Sequence, residues 1–276
     1  MAELDIRLIA TDVDGTILPH GGAFSEATRR AVRRCRERGI PFVVNSGRWI
    51  GALQGILEDL GAADQPVITV GGGAVLAPDG RLLREWTMAE ADVRAVYAVM
   101  RRFPVMINSY VRGGVYRLNT DRMPRLMKNY MGERDPRVVL DDRDAFESEG
   151  LRNVYKLEAV VDDAAVIAGL RDALARETDA VISGAFWNNT EVVSRGMGKG
   201  VALRWLAARL GADPQQCMAF GDNTNDLDML RAVGWPVAVG NAVPQLKAVA
   251  RIIAPPDAED GVARTIFESV LGEEMP

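Results

Sequence analysis

The chain has one histidine, His20, and two cysteines, Cys35 and Cys217, among its 276 residues. Zinc centres assembled from His and Cys are excluded on supply alone, and so is a disulfide framework. Positive charge is also short. Lys and Arg number 33 against 38 Asp and Glu, a formal net charge of −5, which lacks the basic footprint that nucleic-acid backbones and anionic membranes select. No apolar run reaches the ~18 residues of a membrane span. The opening Met1-Ala2-Glu3-Leu4-Asp5 carries acids where a secretory signal carries a basic segment, and two thiols without an evident partner fit a reducing compartment. The expectation is a soluble cytoplasmic protein that binds neither nucleic acid nor membrane, with monomer and homodimer both open. Any catalysis must fall to carboxylates, lysine, arginine and hydroxyls.

What is present suffices for real cores. The hydrophobic fraction is 48%, and at ~100–200 residues per domain the length fits one large or two modest domains. Ile6–Thr11 is a short apolar run that stops at Asp12-Val13-Asp14-Gly15-Thr16, as a buried strand ending in a turn would. Ser25 followed by Glu26 opens a helical pattern that closes on Gly39. Pro41–Val44 is a second run, ending in Asn45-Ser46-Gly47-Arg48, and a helical stretch to Leu60 follows it. Pro66–Val70 then runs into Gly71-Gly72-Gly73. Strands alternating with helices of this length predict a parallel sheet covered on both faces.

Near residue 80 the rhythm changes. Asp79-Gly80 is a hairpin signal, Val105–Tyr110 and Gly114–Leu118 read as a second hairpin, and Asn153–Val161 leads into a helix over 163–176. After Gly196-Met197-Gly198-Lys199-Gly200 the first rhythm resumes: a helix to Leu210, a strand at Cys217–Phe220, a helix over 224–233, strands at Pro236–Val239 and Val249–Ile253, and a last helix from about Asp260. The predicted fold is α/β, with a doubly wound parallel-sheet core built from residues 1–81 and 189–276 and interrupted by an inserted α+β domain over 82–188.

Three of the predicted strands end in polar residues that could act together: Asp12 and Asp14, Ser46, and Asp222 with Asn225 and Asp226. Ligands of open α/β sheets bind outside the carboxyl ends of the strands. Each turn alone is ordinary Asp and Gly turn chemistry, Ser46 alone could be a helix cap, and Lys199 alone could be a solvated surface residue. Three coincidences at three strand ends are another matter. Gly196–Gly200 lacks the spacing of a phosphate loop, and Gly71–Gly73 lacks the order of a dinucleotide fingerprint. His20, beside two glycines, reads as a loop residue. Phe186 and Trp187 are weak candidates for lining a site.

Asp12-Val13-Asp14-Gly15-Thr16, Ser46-Gly47-Arg48, Lys199 and Gly221-Asp222-Asn223-Thr224-Asn225-Asp226, in this order, resemble the four motifs of the haloacid-dehalogenase-like (HAD) superfamily. They are most similar to its Cof-type phosphatase branch with a type 2 cap. The likeness covers about 1–80 and 190–276; the insertion matches in position and size more than in residues. The resemblance implies a Rossmann-like core and hydrolysis of small phosphorylated metabolites, such as sugar phosphates, through an aspartyl phosphate on Asp12. It implies Asp14 as the acid and base. Ser46, Gly47, Lys199 and Asn225 are then the expected phosphate contacts, with Arg48 reaching toward the substrate.

Asp12, Asp222 and Asp226 bring three negative charges to a site that must also admit a phosphate monoester of about −1.5 to −2. Lys199 alone cannot balance them, so Mg²⁺, a hard cation that takes oxygen ligands, is the expected cofactor. By the family pattern the Asp12 and Asp222 carboxylates and the Asp14 backbone carbonyl hold it, with Asp226 just outside. The insertion takes the place of a substrate-selecting lid, and Arg112, Arg117, Arg125 and Lys128 could meet an anionic or hydroxyl-rich substrate, although a solvated face explains them equally well. Two positions depart from the pattern: Ser46 stands where Thr is commoner, and Gly72 where Asn is usual. Two readings compete: a phosphohexomutase, which returns the phosphoryl group to a sugar, and a non-hydrolytic phospho-Asp signalling module.

Overall fold

The apolar run Leu8–Thr11 forms β1, and all four of its side chains are buried. Successive strand residues point to opposite faces, so β1 lies within a sheet covered on both sides. Ser25 caps α1 (Glu26–Glu37) by accepting the Thr28 amide at 2.9 Å. The helix buries Thr28, Ala31, Val32 and Cys35, the three-to-four spacing of a single helical face. Then come β2 (Phe42–Asn45), fully buried, α2 (Ile50–Leu60), β3 (Val67–Thr69) and the hairpin of β4 (Ala74–Leu76) and β5 (Leu82–Glu85) about Asp79-Gly80.

The middle of the chain contributes α3 (Glu90–Met100), β6 (Met106–Val111), β7 (Gly114–Leu118), β8 (Val138–Leu140), α4 (Arg143–Ser148), β9 (Val154–Val160), α5 (Ala164–Glu177), β10 (Val181–Ser183) and β11 (Asn189–Val193). The last part adds α6 (Lys199–Arg209), β12 (Cys217–Gly221), α7 (Leu227–Leu230), β13 (Trp235–Ala238), α8 (Pro244–Lys247), β14 (Ile252–Ile253) and α9 (Gly261–Thr265), which runs on into a π-helical turn over Ile266–Leu271. The structure, a computed structural model, describes residues 4–124, 137–183 and 187–275. Two units divide the chain, Met1–Glu85 with Gly198–Pro276, and Trp86–Met197. Among the described residues no helix is long and apolar enough to cross a membrane.

The first unit holds an eight-stranded sheet in the order β14-β13-β12-β1-β2-β3-β4-β5. It is parallel from β14 to β3 and antiparallel over β4 and β5. The chain winds outward from β1 in both directions, toward β3 first and toward β14 later. That makes β1 the topological switch point, where a crevice opens beyond the strand ends. Thr11 is level with Val44 of β2 on one side and Phe220 of β12 on the other, so Asp12, Asn45 and Gly221 follow at one height.

The second unit holds a six-stranded sheet, β10-β11-β9-β6-β7-β8, antiparallel except for the β7–β8 pair. One face supplies Ile107, Leu157, Ala159 and Val192 to a core shared with Val96 and Met100 of α3 and Leu170 and Leu174 of α5. Phe146 of α4 joins that core, its ring centroid 5.2 Å from that of Tyr97.

The expected boundaries differ at two places. Leu82–Glu85, expected in the inserted domain, closes the core sheet as β5, whereas Asn189–Val193, expected in the core, pairs with β9 in the second sheet. Neither strand has a clean apolar alternation to mark its side: β5 is only half-buried, and β11 carries Asn189, Thr190 and Glu191. The expected helix over 224–233 is a 3₁₀ turn, Thr224–Asp226, followed by the single turn of α7. Asp226 folds its carboxylate back onto the Asp222 and Asn223 amides, 3.1 and 3.2 Å away, and this tightens the first turn.

Candidate active site

Four of the expected residues meet at the switch point. Asp12 lies just past β1, anchored by its amide on the Phe220 carbonyl at 3.0 Å. Lys199 opens α6, is 1% exposed, and donates from Nζ to Asp12 Oδ1 at 2.7 Å and to Asp226 Oδ1 at 2.6 Å. Asp226 is fully buried and spends its other oxygen on the two amides already named. Asp222 follows β12 and accepts the Thr16 hydroxyl on Oδ1 at 2.8 Å. Asp12 Oδ2 makes no hydrogen bond among the described residues, so one carboxylate oxygen of the group is pinned and the other is open.

Electrostatics show that positive charge is short here. Burial pushes the Asp12 carboxyl from an ordinary 3.8 up to about 7; Lys199 opposes the rise, and the Asp226 and Asp222 charges add to it. Asp222 is pushed up to about 6, again chiefly by burial, against the Thr16 hydrogen bond. Burial alone would pull the Lys199 ammonium down, but Asp12 and Asp226 outweigh it and hold it above the ordinary lysine value. Oxygen atoms of Asp12, Asp222 and Asp226 lie within 4.8 Å of one another. An all-oxygen donor set with excess negative charge fits a hard divalent cation. Asp226 has both oxygens engaged by Lys199 and two backbone amides, whereas Asp12 and Asp222 each have one oxygen without a hydrogen bond among the described residues.

Other expected residues are placed differently. Ser46 is buried one residue past β2, and its Oγ accepts the Arg48 amide at 3.2 Å. It is not the cap of α2, a position held by Trp49. Arg48, expected to reach toward a substrate, grips Asp14 in a bidentate pair, with Nε 2.7 Å from Oδ2 and Nη2 on Oδ1. Asn225 is exposed and its side chain makes no hydrogen bond among the described residues. In the second unit Trp187 is 59% exposed, Arg112 is exposed and Arg117 is buried. Arg125, Lys128 and Phe186 lie outside the described residues.

Some supports were legible only as letters of a motif. Thr16 orients Asp222, and Asn241 donates to the Gly15 carbonyl at 2.7 Å while accepting the Asp257 amide, which fastens the Asp12–Thr16 loop from across the sheet. Asp228 accepts the Gly200 amide at 2.8 Å and so fixes the start of α6. His20 lies close enough to Asp222 to lower its carboxyl pKa slightly, nearer the site than its glycine-flanked loop suggested. The signal for all of these is a small polar residue inside an otherwise apolar stretch.

Gly72 explains its own departure from the family pattern. Its φ is +95°, and a Cβ there would run into the Gly198 carbonyl and lie 2.9 Å from the Lys199 amide nitrogen. Asparagine cannot stand at this position without moving the residue that carries the ammonium. On the other side, a Cβ on Gly200 would meet the Asp228 backbone, 3.0 Å from the Met229 amide nitrogen. The glycines around Lys199 are thus close-packing residues and not a phosphate cradle.

Residues 9–266 match the haloacid dehalogenase-like hydrolases. The chain belongs to this family. It is 31% identical over 244 residues to an HMP-PP phosphatase of Cronobacter sakazakii, covering 88% of this chain and 87% of the relative. It is 25% identical to a 5-amino-6-(5-phospho-D-ribitylamino)uracil phosphatase of Bacillus subtilis over 98% of each chain. A haloacid dehalogenase-like hydrolase from Bacteroides thetaiotaomicron shares the fold at a TM-score of 0.82 and 24% identity, over 95% of this chain and 99% of its own.

Gly72→Asn is expected to destabilise the protein by about 1–3 kcal/mol, the usual cost of overpacking, read as a lower urea midpoint; an unchanged midpoint would contradict the contact. The carboxyl shifts predict a pH effect with a definite sign. Folded Asp222 keeps its proton to about 6, whereas an ordinary carboxyl ionises near 3.8. The folded state therefore binds more protons between these values, and Asp222 favours folding less as pH rises through them. In metal-free buffer Asp222→Asn should melt with wild type near pH 4 and above it at pH 7, and a gap that narrows with rising pH would refute the assignment.

Proposed function

We propose that the protein hydrolyses phosphate monoesters of small metabolites through a covalent intermediate on Asp12. The observation that carries this reading is the buried Asp12 carboxylate, with Oδ1 held by Lys199 and Oδ2 open beside Asp222. A held carboxylate at a strand end is a nucleophile kept in one orientation. The names of relatives support the reaction class: one acts on HMP-PP, and a relative from Escherichia coli, 25% identical over 276 residues, is a pyridoxal phosphate phosphatase.

In the proposed sequence Asp12 Oδ2 attacks phosphorus and the ester oxygen leaves, taking a proton from Asp14. Water then attacks the acyl phosphate, gives a proton to Asp14, and phosphate departs with Asp12 regenerated. The Arg48 pair must release Asp14 for the first proton transfer, so Arg48 is assigned a part in holding Asp14 between turnovers. Lys199 neutralises charge on the nucleophile while Ser46 and the backbone beyond Asp12, with Gly47 beside it, donate to the phosphoryl oxygens; Asn225 supports the same group. Both effects act on charge present in the transition state, the main demand of phosphoryl transfer. Asp12, Asp222 and the Asp14 carbonyl would hold Mg²⁺, which would supply charge neutralisation at the phosphoryl group. The second unit, Trp86–Met197, would select the leaving group.

Asp12→Asn should lower turnover of p-nitrophenyl phosphate by on the order of 10³-fold or more while melting at or above the wild-type temperature, since it removes one of three crowded negative charges. Turnover within a few-fold of wild type would refute the nucleophile. Excess EDTA should abolish hydrolysis and added Mg²⁺ restore it, whereas full activity in EDTA rules out the cation.

A further inference from the structure

The second sheet has a face turned away from α3 and α5, and that face is polar where it should be apolar. Because opposite residues in paired strands share a face, the registers Arg117–Asn108, Asn108–Glu158 and Glu158–Glu191 draw one polar row across β7, β6, β9 and β11. Tyr110 and Lys156 form the next row. Arg117, Asn108, Lys156 and Glu158 are each less than 8% exposed, so solvent does not satisfy them as it would a surface patch.

Most of the row is internally satisfied. Glu158 takes Asn108 Nδ2 and the Tyr110 hydroxyl on Oε2, at 3.0 and 2.9 Å, and Asn189 Nδ2 on Oε1 at 3.2 Å. Lys156 donates to Glu191 at 2.7 Å and sits 4.6 Å above the Tyr110 ring. Two groups are left over. The Arg117 side chain, in a residue 7% exposed, makes no hydrogen bond or ion pair among the described residues, and its Nε is buried without a partner; directly across the strand pair, Asn108 Oδ1 is also buried without one. Burial lowers the Arg117 guanidinium pKa, with Tyr110 and Glu158 opposing at longer range.

A buried guanidinium with unspent donors is costly, and removing a partner from such a group destabilises more than a pair contributes. The adjacent Asn108 oxygen can accept but not donate. The missing group must therefore present an oxyanion to Arg117 and a hydrogen-bond donor to Asn108.

We infer that this face of the second unit is a binding site for a small ligand that carries an oxyanion beside a hydroxyl, with Arg117 as its anchor and Asn108 as its second contact. A sugar-acid carboxylate and a second phosphate on a polyol share that chemistry. The kinetic part of its test rests on the phosphatase reading above, whereas the binding part does not.

The experiment uses the full chain with Arg117→Met and Arg117→Lys. Calorimetric titration with glycerate and with inorganic phosphate needs no turnover. Wild type should bind at least one of them saturably, and Arg117→Met should bind it roughly ten- to hundredfold more weakly, the worth of one charge-assisted hydrogen bond. Arg117→Lys, which keeps the charge and loses the fork, should fall between. In steady-state assays a tenfold rise in KM for 3-phosphoglycerate alone identifies the carboxylate as the source, and for fructose 1,6-bisphosphate alone the second phosphate, with p-nitrophenyl phosphate unchanged in each case. A rise for both shows that either oxyanion serves; weakened binding with every KM unchanged assigns the site to a separate ligand. Arg117→Met should melt no lower than wild type, because it removes a buried unpaired charge. If wild type binds neither probe, or if Arg117→Met binds as wild type does, the site does not exist.

Discussion

One ammonium serves two buried carboxylates at the centre of the core, with a third close by, and most local features of the site follow from that imbalance. Lys199 is the only cation whose side chain bonds Asp12 or Asp226 among the described residues. Burial of like charges raises carboxyl pKa values, and Asp12 and Asp222 show the rise. The fold moderates the cost by assigning Asp226 to backbone amides and one Asp222 oxygen to the Thr16 hydroxyl, so that among the described residues Asp12 and Asp222 each keep one oxygen without a hydrogen bond. Excess negative charge among oxygen donors is the condition that a hard divalent cation would relieve.

Placing the ammonium requires the start of α6 to sit very close to its neighbours. The Gly72 turn lies against Gly198 and Lys199 on one side, and Asp228 receives the Gly200 amide on the other. Val70, next to this turn, adopts φ +53°, an uncommon conformation for a β-branched residue. Its amide bonds the Arg48 carbonyl and the Gly71 amide bonds the Ser46 carbonyl, each at 2.9 Å. The strained turn therefore joins the Ser46 loop to the Lys199 helix. A change at residue 72 would be transmitted to both sides of the crevice, which is why a glycine there is a structural requirement and not only a missing polar contact.

The core was legible because its signals are local. A buried parallel strand reads as a short continuous apolar run, and the polar residues that interrupt Leu8–Thr11, Phe42–Asn45 and Cys217–Gly221 fall at strand ends, where sheet topology brings them together. Asp12, Asp222 and Asp226 could be grouped for that reason, whereas Lys199, at the start of a helix, was singled out only by the resemblance. The pairing of Arg48 with Asp14 was not legible, because Asp14 lies 34 residues away and only the fold brings them into reach. Gly72 was read as a lost contact because close approach between two loops has no expression in sequence. The inserted unit was least legible. Its strands β8, β10 and β11 are short or polar, and the polar face of the second sheet breaks the alternation by which a half-buried strand is recognised.

The two units bury charge under different rules. In the core each buried carboxylate at the site has at least one fixed donor, and what remains is an excess of charge of one sign. On the second sheet charges of both signs are present, two positive and two negative across Arg117, Lys156, Glu158 and Glu191, and what remains is geometry: Arg117 and Asn108 sit opposite each other with their leftover atoms unmatched. An excess of charge is relieved by an ion of any suitable size, whereas an unmatched donor and acceptor in fixed relation are relieved only by a group of matching shape. The first arrangement suits chemistry common to a family, and the second suits discrimination among its substrates.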